Sequence, residues 1–341
     1  MNAGKIHVVL SNGGTYRDVV EYLVRQGAGM SVISPDPDHK GIMTKWTIVR
    51  ELLSTKAVGL RRRWQREDTV LVIGWQALPV LALMKVGVLL RPQRCVVMGC
   101  FVHSPALRKV VDRLLRSLRF PGLGFIAFSR GERWNLIESL GVREEDVLLH
   151  LWRQDLYGKV SPEYLVRGEY VFSGGYTNRD YNGLLKAAEK HAWPLMIVAS
   201  SHNEIDGSLC KRADILRDLD EEVFEGRLAG SALVVLPLKS AGEACGQSVL
   251  LRVLRNRKAL IANRHESIED YLGKDYPGFV KAGDPEALAA AVTRAFENEE
   301  FYQELIRAVS VAQDRMEKWL SPGEEVFAFL ASPVLGSALP N

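Results

Sequence analysis

The sequence has few cysteines and no apolar segment long enough to cross a membrane. Its longest apolar stretch covers residues 77–90 and is interrupted by Lys85, whereas a bilayer-spanning helix needs about 20 apolar residues. The four cysteines have no metal-ligand spacing, which favours free thiols in a reducing compartment over a disulfide framework. A strand is expected within a few residues of Met1, so we expect no signal peptide. Together these features predict a cytoplasmic protein.

The composition is that of an ordinary globular protein. Of 341 residues, 47% are apolar and 25% are charged, which is enough for two domains of usual size. The net charge of +3 conceals an asymmetry, because residues 1–160 sum to +10 and residues 161–341 to −7. The basic half favours an anionic partner such as phospholipid headgroups, a lipid pyrophosphate or nucleic acid. Chance placement of charge on two solvated surfaces is the alternative.

Each half of the chain repeats the same order of elements. The first half opens with a predicted strand at Lys5–Leu10, a glycine turn, a helix and a second strand at Met30–Ser34. The second half restarts with a strand at Tyr170–Ser173, a glycine loop and a helix. A buried strand, a glycine turn and a helix in this order are typical of a Rossmann-like unit. We therefore predict an α/β protein with an N-terminal domain at 1–160, a C-terminal domain at 161–320, and a helix and tail at 321–341 that pack back on the first domain.

Two loops of the second half have the properties of a phosphate site. Gly174 and Gly175 allow backbone amides to approach an anion, and Arg179 offers a guanidinium fork. The apolar run ending at Pro237 is followed by a small-residue loop and then by a helix. In open α/β sheets ligands bind beyond the carboxyl ends of strands, and helix N-termini there favour phosphate. A tight turn with a surface arginine is the alternative for the first loop.

The segments from Tyr170 to Ala187 and from Ser231 to Leu272 resemble GT-B-fold, nucleotide-sugar-dependent glycosyltransferases, specifically the large retaining family four. The resemblance rests on the glycine loop before Arg179, on Glu243-Ala-Cys-Gly246 in the small-residue loop, and on Gly283-Asp-Pro at a later helix entry. It implies two facing Rossmann-like domains with an interdomain cleft. It also implies a hexosyltransferase that moves a sugar to a glycan or lipid-linked acceptor in bacterial surface polysaccharide or glycolipid synthesis.

The resemblance assigns roles to individual residues. It implies that Glu243 accepts hydrogen bonds from donor-sugar hydroxyls and that His103 positions the sugar, with no protein nucleophile, metal or cofactor. The donor-binding set that follows from it comprises Gly174, Gly175, Asn178, Arg179, Gly246, Gln247, Ser248 and Arg252. The turn expected to receive acceptor or phosphate comprises Asn12, Gly13 and Gly14. Plain structural roles are the alternatives: an exposed loop acid for Glu243, helix capping for Gln247 and Ser248, a structural histidine, and an ordinary turn.

One position departs from the family pattern. Family members carry a second glutamate on the helix after the loop, which holds the ribose hydroxyls, and Arg252 stands at its place. Arginine cannot accept a hydrogen bond. The usual ribose contact is therefore lost or remade, and a catalytically impaired binding or scaffold protein is the alternative function. A nucleic-acid-binding protein is a weaker third reading, because the basic residues lack interleaved aromatics and form no recognised module.

The first half also contains a basic amphipathic helix. Apolar residues recur at helical spacing between Leu107 and Leu118, and basic residues fill the opposite side,. We expect the apolar stripe to pack on the sheet of its own domain, which leaves the basic face for anionic headgroups. Arg61, Arg62 and Arg63 add charge, and Trp64 is interpreted as an interfacial aromatic. The sequence thus predicts peripheral association with the inner face of the cell membrane.

Overall fold

The protein is an α/β protein with two six-stranded sheets. The computed structural model describes residues 4–10, 16–32, 60–74, 77–99, 105–153, 168–239 and 245–332. Contacts divide the chain into two compact units, Met1–Trp152 with Leu320–Asn341, and Arg153–Trp319. Every strand pair in both sheets is parallel. This pairing explains the near-continuous apolar strands, because helices cover both faces of a parallel sheet.

The first unit contains a sheet in the order β2-β1-β3-β4-β5-β6. Its strands are β1 (Ile6–Leu10), β2 (Gly29–Val32), β3 (Thr69–Ile73), β4 (Arg94–Met98), β5 (Leu123–Ala127) and β6 (Val147–Leu149). Its helices are α1 (Arg17–Arg25), α2 (Ala77–Lys85), α3 (Pro105–Ser117), α4 (Arg130–Leu140) and α11 (Pro322–Ala331). Strands β3, β4 and β5 are buried along almost their whole length, so the core of this unit lies on both faces of the central strands.

Helix α11 packs on α1 in the first unit. The two backbones approach closely at Gly323, where a Cβ atom would lie 2.3 Å from Cβ of Tyr22. The imidazole Nδ1 of the buried His150, just after β6, lies 2.6 Å from Oε2 of Glu325 on α11. Ser321 and Glu324 form a reciprocal capping box at the start of α11,. The C-terminal helix is therefore part of the first unit although it follows the whole of the second.

The second unit contains a sheet in the order β12-β11-β10-β7-β8-β9. Its strands are β7 (Val171–Gly174), β8 (Leu195–Ala199), β9 (Asp214–Arg217), β10 (Leu233–Leu236), β11 (Leu260–Asn263) and β12 (Phe279–Val280). Its helices are α5 (Tyr181–His191), α6 (Glu221–Ala229), α7 (Gln247–Arg255), α8 (Glu266–Leu272), α9 (Pro285–Glu297) and α10 (Glu299–Met316). The expected entry to α9 is confirmed, since Asp284 accepts from the amide of Ala287 at 2.8 Å ahead of Pro285.

One expectation about the first unit is confirmed only in part, and another is wrong. On α3, Val111 and Leu115 are buried, but Val110 is 50% and Leu114 is 47% exposed. The helix rests on the sheet along a narrow i, i+4 row, so the outer part of the apolar stripe stays uncovered. Trp64 is 3% exposed and its Nε1 donates to the carbonyl of Leu90 at 2.8 Å. It is a core side chain and not an interfacial aromatic.

Among the described residues no helix combines the length and the apolar character needed to span a bilayer.

Candidate functional site

The second sheet has a crevice at the carboxyl ends of β7 and β10. The chain runs from β7 to β8 and β9 on one side, and then returns to β10, β11 and β12 on the other side. Neighbouring strands whose connections leave in opposite directions define the usual ligand position of an open α/β sheet. The loop after β7 and the segment after β10 meet here through an antiparallel bridge between Arg179 and Leu238. The amide of Asp180 also donates to the carbonyl of Pro237 at 2.7 Å.

The glycine loop after β7 closes around the side chain of Arg179. Gly175 has φ +118°, and a Cβ atom there would lie 2.6 Å from Nη2 of Arg179. A Cβ atom on Gly174 would lie 2.5 Å from the ring of Phe224. Any larger residue would therefore displace the guanidinium or the ring. Asp180 ends the loop by accepting from the amide of Gly183 at 3.0 Å, which starts α5,.

Arg179 is a buried cation. The residue is 5% exposed, and its Nε and Nη1 donate to the carbonyls of Gly174 at 3.1 Å and Thr177 at 2.7 Å. Burial lowers the pKa of its guanidinium, and the groups that oppose this shift are the Tyr181 phenol and the Cys245 thiol. Among the described residues no carboxylate pairs with Arg179, and the hydrogen bonds of its guanidinium go from Nε and Nη1 to these two carbonyls. Because an uncompensated buried charge is costly, this geometry favours an anion beside Nη2.

Helix α7 begins beside this arginine. Its cap residue is Gly246, which has φ +83° and no side chain that could cap the helix. The amides of the first turn carry the positive end of the helix dipole and favour an anion. Gln247 is buried and Ser248 is partly buried, and neither occupies the cap position. The alternative of helix capping by these two residues is therefore not what the structure shows, because the cap residue is Gly246.

Asn178 ties the two loops together. It has φ +54°, and its Nδ2 lies 3.2 Å from Sγ of Cys245. Its carbonyl accepts from the amide of Lys239 at 3.2 Å. These contacts fix the glycine loop against the residue that precedes the cap of α7.

Arg252 lies on α7 but is engaged with α6. Its Nη1 lies 2.9 Å from Oε2 of Glu225, and its Nη2 contacts Glu221. Its guanidinium stacks 4.5 Å from the ring centroid of Phe224. Arg252 and Glu225 are 5% and 6% exposed at their side chains, whereas Glu221 is 65% exposed. The residue at the expected ribose position therefore forms an ion-pair network that joins two helices.

Several of the expected site residues lie outside the described residues. They are Glu243, His103, Asn12, Gly13 and Gly14. The structure brings together Gly174, Gly175, Asn178 and Arg179 through the contacts above. Gly246 and Gln247 follow Cys245, which Asn178 contacts. Ser248 lies on the same helix end. In the described part of the chain no group of three or more His, Cys, Asp or Glu side chains could hold a metal ion.

His265, at this edge of the sheet, is not among the residues predicted from the sequence. His265 stands two residues after the end of β11 and caps α8, with Nδ1 accepting from the amide of Ser267 at 3.2 Å. It is 2% exposed, and its buried Nε2 has no hydrogen-bond partner. Burial and the positive charge of Arg179 lower the pKa of its imidazole below the ordinary value of 6.5. A polar residue in the short connection between a buried strand and the next helix was the signal that could have identified it.

Comparison with known proteins identifies the fold. No protein-family model matches the chain, and no curated protein matches it. Among solved structures, a glycosyltransferase from Rickettsia africae ESF-5 aligns over 99% of this chain and 100% of its own, with TM-score 0.68 and 14% identity. The structure "Trehalose-6-phosphate from E. coli bound with UDP-2-fluoro glucose" aligns over 96% and 99%, with TM-score 0.70 and 13% identity. An alpha,alpha-trehalose-phosphate synthase (UDP-forming) from Burkholderia vietnamiensis aligns over 96% and 100%, with TM-score 0.67 and 14% identity.

These alignments cover both units of the chain. The protein therefore has the GT-B architecture, with two Rossmann-like α/β domains. At these identities the likeness concerns the fold, and the chemistry must be argued from the residues of this chain.

Proposed function

We propose that this chain is a retaining glycosyltransferase that takes its sugar from a nucleotide diphosphate sugar. The observation that carries the proposal is the buried guanidinium of Arg179, which pairs with no carboxylate among the described residues, together with the N-terminus of α7, whose cap residue is Gly246. Both donors lie at the carboxyl edge of a parallel sheet, where phosphate groups bind in open α/β folds. A pyrophosphate supplies the negative charge that this edge lacks among the described residues.

The proposed chemistry needs positioning and charge stabilisation and no protein nucleophile. Negative charge grows on the leaving diphosphate as the glycosidic bond breaks, and a guanidinium and amide dipoles already in place stabilise that charge. Glu243 holds the sugar hydroxyls and His103 positions the sugar ring. The donor phosphate accepts the proton of the acceptor hydroxyl, so the acceptor attacks on the face that the leaving group vacates.

The donor nucleotide proposed for the first trial is UDP. One similar structure is bound with UDP-2-fluoro glucose, and another similar protein is a UDP-forming synthase. We further propose a hexosyl donor, a glycan or lipid-linked acceptor, a role in bacterial surface polysaccharide or glycolipid synthesis, and kinship with the retaining family four. The first unit, at Asn12, Gly13 and Gly14, is the proposed acceptor side.

A place on the inner face of the cell membrane is part of the proposal. The support is the +10 charge of residues 1–160 and the surface of α3, where exposed Val110 and Leu114 stand beside exposed Lys109 and Arg113. Apolar side chains within a basic surface suit an anionic bilayer. The test is co-sedimentation with phosphatidylglycerol vesicles at low salt. If the protein does not sediment with the vesicles, the membrane association is refuted and the proposed glycosyl transfer is not affected.

A scaffold protein without turnover is the second candidate. The observation that favours it is the ion pairing of Arg252 with Glu221 and Glu225, which leaves its guanidinium engaged within the protein at the expected ribose position. Measurement of donor binding and of turnover decides between the two candidates.

The test has a binding step and a turnover step. Thermal unfolding of the purified protein is followed with UDP-, GDP-, ADP- and dTDP-sugars, because a ligand stabilises the state that binds it. Release of nucleoside diphosphate from the stabilising donor is then measured with a panel of acceptors. We expect Glu243→Ala to abolish turnover and to leave the melting temperature unchanged.

Glu304→Ala is the matched control, since it removes the carboxylate of an exposed glutamate on α10, away from the loops of the candidate site. We expect it to retain full turnover. Full turnover by Glu243→Ala refutes the assignment of Glu243, and a stabilising donor without any turnover favours the scaffold.

A further inference from the structure

The ring of Phe224 on α6 packs against the glycine loop of the candidate site. A Cβ atom on Gly174 would lie 2.5 Å from its Cζ and 2.9 Å from its Cε2. Gly174 is the last residue of β7, and its φ lies outside the left-handed region, unlike that of Gly175. Backbone conformation therefore does not require a glycine at this position. The close approach of the ring requires it.

The ring is also held from two other directions. The guanidinium of Arg252 on α7 lies over its face, 4.5 Å from the centroid. The ring of Phe172 on β7 meets it nearly at right angles, with 86° between the planes and 5.3 Å between the centroids. Phe224 is 4% exposed and Phe172 is 0% exposed. In a close-packed interior such a side chain cannot move without displacing its neighbours, so α7 and β7 together fix the position of the ring.

The side chain of Arg179 depends on the backbone that this ring supports. Its Nε donates to the carbonyl of Gly174 at 3.1 Å. A Cβ atom on the next residue, Gly175, would lie 2.6 Å from its Nη2. A shift of Gly174 therefore moves the guanidinium or breaks its hydrogen bond. The contacts run without a gap from Arg252 through the ring and Gly174 to this guanidinium.

We propose that Phe224 is a positioning residue for the donor diphosphate, because its ring sets the place of Gly174 and, through it, of the Arg179 guanidinium. The inference rests on the proposed function for the identity of the ligand. Arg252 then has a role of its own at the expected ribose position, since it holds the ring while Glu225 at 2.9 Å satisfies its charge. A guanidinium that is already in place binds an anion more tightly, because less freedom is lost on binding.

An exchange of volume between the two residues tests the proposal. Leucine lacks the Cζ and Cε2 atoms, so Phe224→Leu opens the space beside Gly174 and leaves the loop without its support. Gly174→Ala alone forces the loop or the ring aside. In the double variant the added methyl group occupies the space that the ring has vacated. The contact that remains is the one with Cε1 of Phe172 at 2.9 Å, and this ring then has room to move.

The experiment is calorimetric titration of the full chain with inorganic pyrophosphate, with the melting temperature of every variant measured alongside. We expect Gly174→Ala to weaken binding about 10-fold or more and Phe224→Leu about 5-fold or more, since each displaces a group that bonds the anion. We expect the double variant to bind within about 2-fold of the wild type, because residues in contact are not additive. Recovery is measured against Gly174→Ala as well, so the result does not depend on the stability of Phe224→Leu alone.

Phe301→Leu is the matched control. Phe301 is also 4% exposed and also lies under an arginine, with Cζ of Arg294 3.9 Å from its ring centroid, but it belongs to α10 and not to the loops of the candidate site. We expect Phe301→Leu to lower the melting temperature about as much as Phe224→Leu does and to bind pyrophosphate like the wild type. A purely structural role of Phe224 predicts that the two variants behave alike.

Each outcome decides the proposal. Wild-type affinity in folded Phe224→Leu overturns it and leaves the proposed glycosyl transfer intact. Losses that multiply in the double variant also overturn it, because the two residues then act independently. A wild type that binds no pyrophosphate overturns it as well, since the loop is then no anion site. Recovery in the double variant, with Phe301→Leu unaffected in binding, supports the proposal; if no nucleotide sugar binds or reacts, the positioning role stands while the proposed function fails.

Discussion

The ion pair between Arg252 and Glu225 is buried, so the loss of stability on removing one partner can be estimated. Arg252→Met keeps an unbranched apolar stem against the ring of Phe224 but removes the charge. The Glu225 carboxylate, 6% exposed, then keeps the Nδ2 donor of Asn256 at 2.6 Å and loses its cationic partner. Breaking a buried pair in this way costs about 3–5 kcal/mol. The contact with Glu221 adds about 0–1 kcal/mol, because that side chain is 65% exposed,.

A second substitution tests the cause of the loss. In Arg252→Met with Glu225→Gln no buried charge remains, and the glutamine oxygen can still accept from Asn256. We expect this double variant to recover more than half of the loss, since replacing both members of a buried pair is close to neutral. The control is Arg212→Met, whose pair with Glu189 spans 3.7 Å between half-exposed side chains. It should lose less than about 1 kcal/mol.

The free energies of unfolding are measured by urea titration at pH 7, followed by far-UV circular dichroism and by tryptophan fluorescence. A loss below about 1 kcal/mol in Arg252→Met would refute the claim that this pair carries a buried charge. A double variant as unstable as the single one would show that the loss comes from packing of the guanidinium and not from the stranded carboxylate.

Two further predictions concern the other features of the structure. Gly175→Ala places a Cβ atom 2.6 Å from Nη2 of Arg179 at φ +118°, so pyrophosphate affinity should fall by about 10-fold or more. The control Gly273→Ala, at φ +88° with open space around the Cβ position, shares the backbone strain but should bind pyrophosphate like the wild type. Equal binding by both variants would contradict the role of the loop. Burial raises the pKa of Asp68, but the amides of Gln65 and Lys5 and the imidazole of His7 outweigh it and hold the pKa below 3.8. The stability that Asp68 provides is therefore present above about pH 4 and lost as the pH falls through the lower folded-state pKa. Urea midpoints of the wild type and of Asp68→Asn should differ most at neutral pH and converge at the acid end, and a constant difference would exclude this linkage.

Much of the fold could be predicted from local pattern. The strand Leu233–Leu236 is apolar at every position, and Leu260–Asn263 is apolar at every position except the last. Such apolar runs indicate burial on both faces of a sheet. Asp284 and Pro285 indicate the start of α9, because aspartate is a preferred helix cap and proline is favoured at the first helical position. Strand β9 and helix α6 were missed, because Asp214–Arg217 is short and half-exposed and α6 has no clear apolar stripe.

The candidate site was only partly predictable. The glycines and Arg179 could be found because their residue types carry the chemistry of phosphate binding. The Arg252 interaction could not, because its partners on α6 are 27 and 31 residues away in sequence. His265 had the right position after a strand, but only burial shows that one of its nitrogens is without a partner.

The sequence by itself determined the order of buried strands, glycine turns and helices, because side-chain hydrophobicity and turn chemistry act over a few neighbouring residues. The tertiary structure alone decided which charges are neutralised. Arg252 meets two carboxylates across a helix pair, whereas Arg179 is buried against carbonyl oxygens and an imidazole. The two residues are of the same type, and their difference arises because electrostatic energy depends on distance and burial in space and not on separation along the chain.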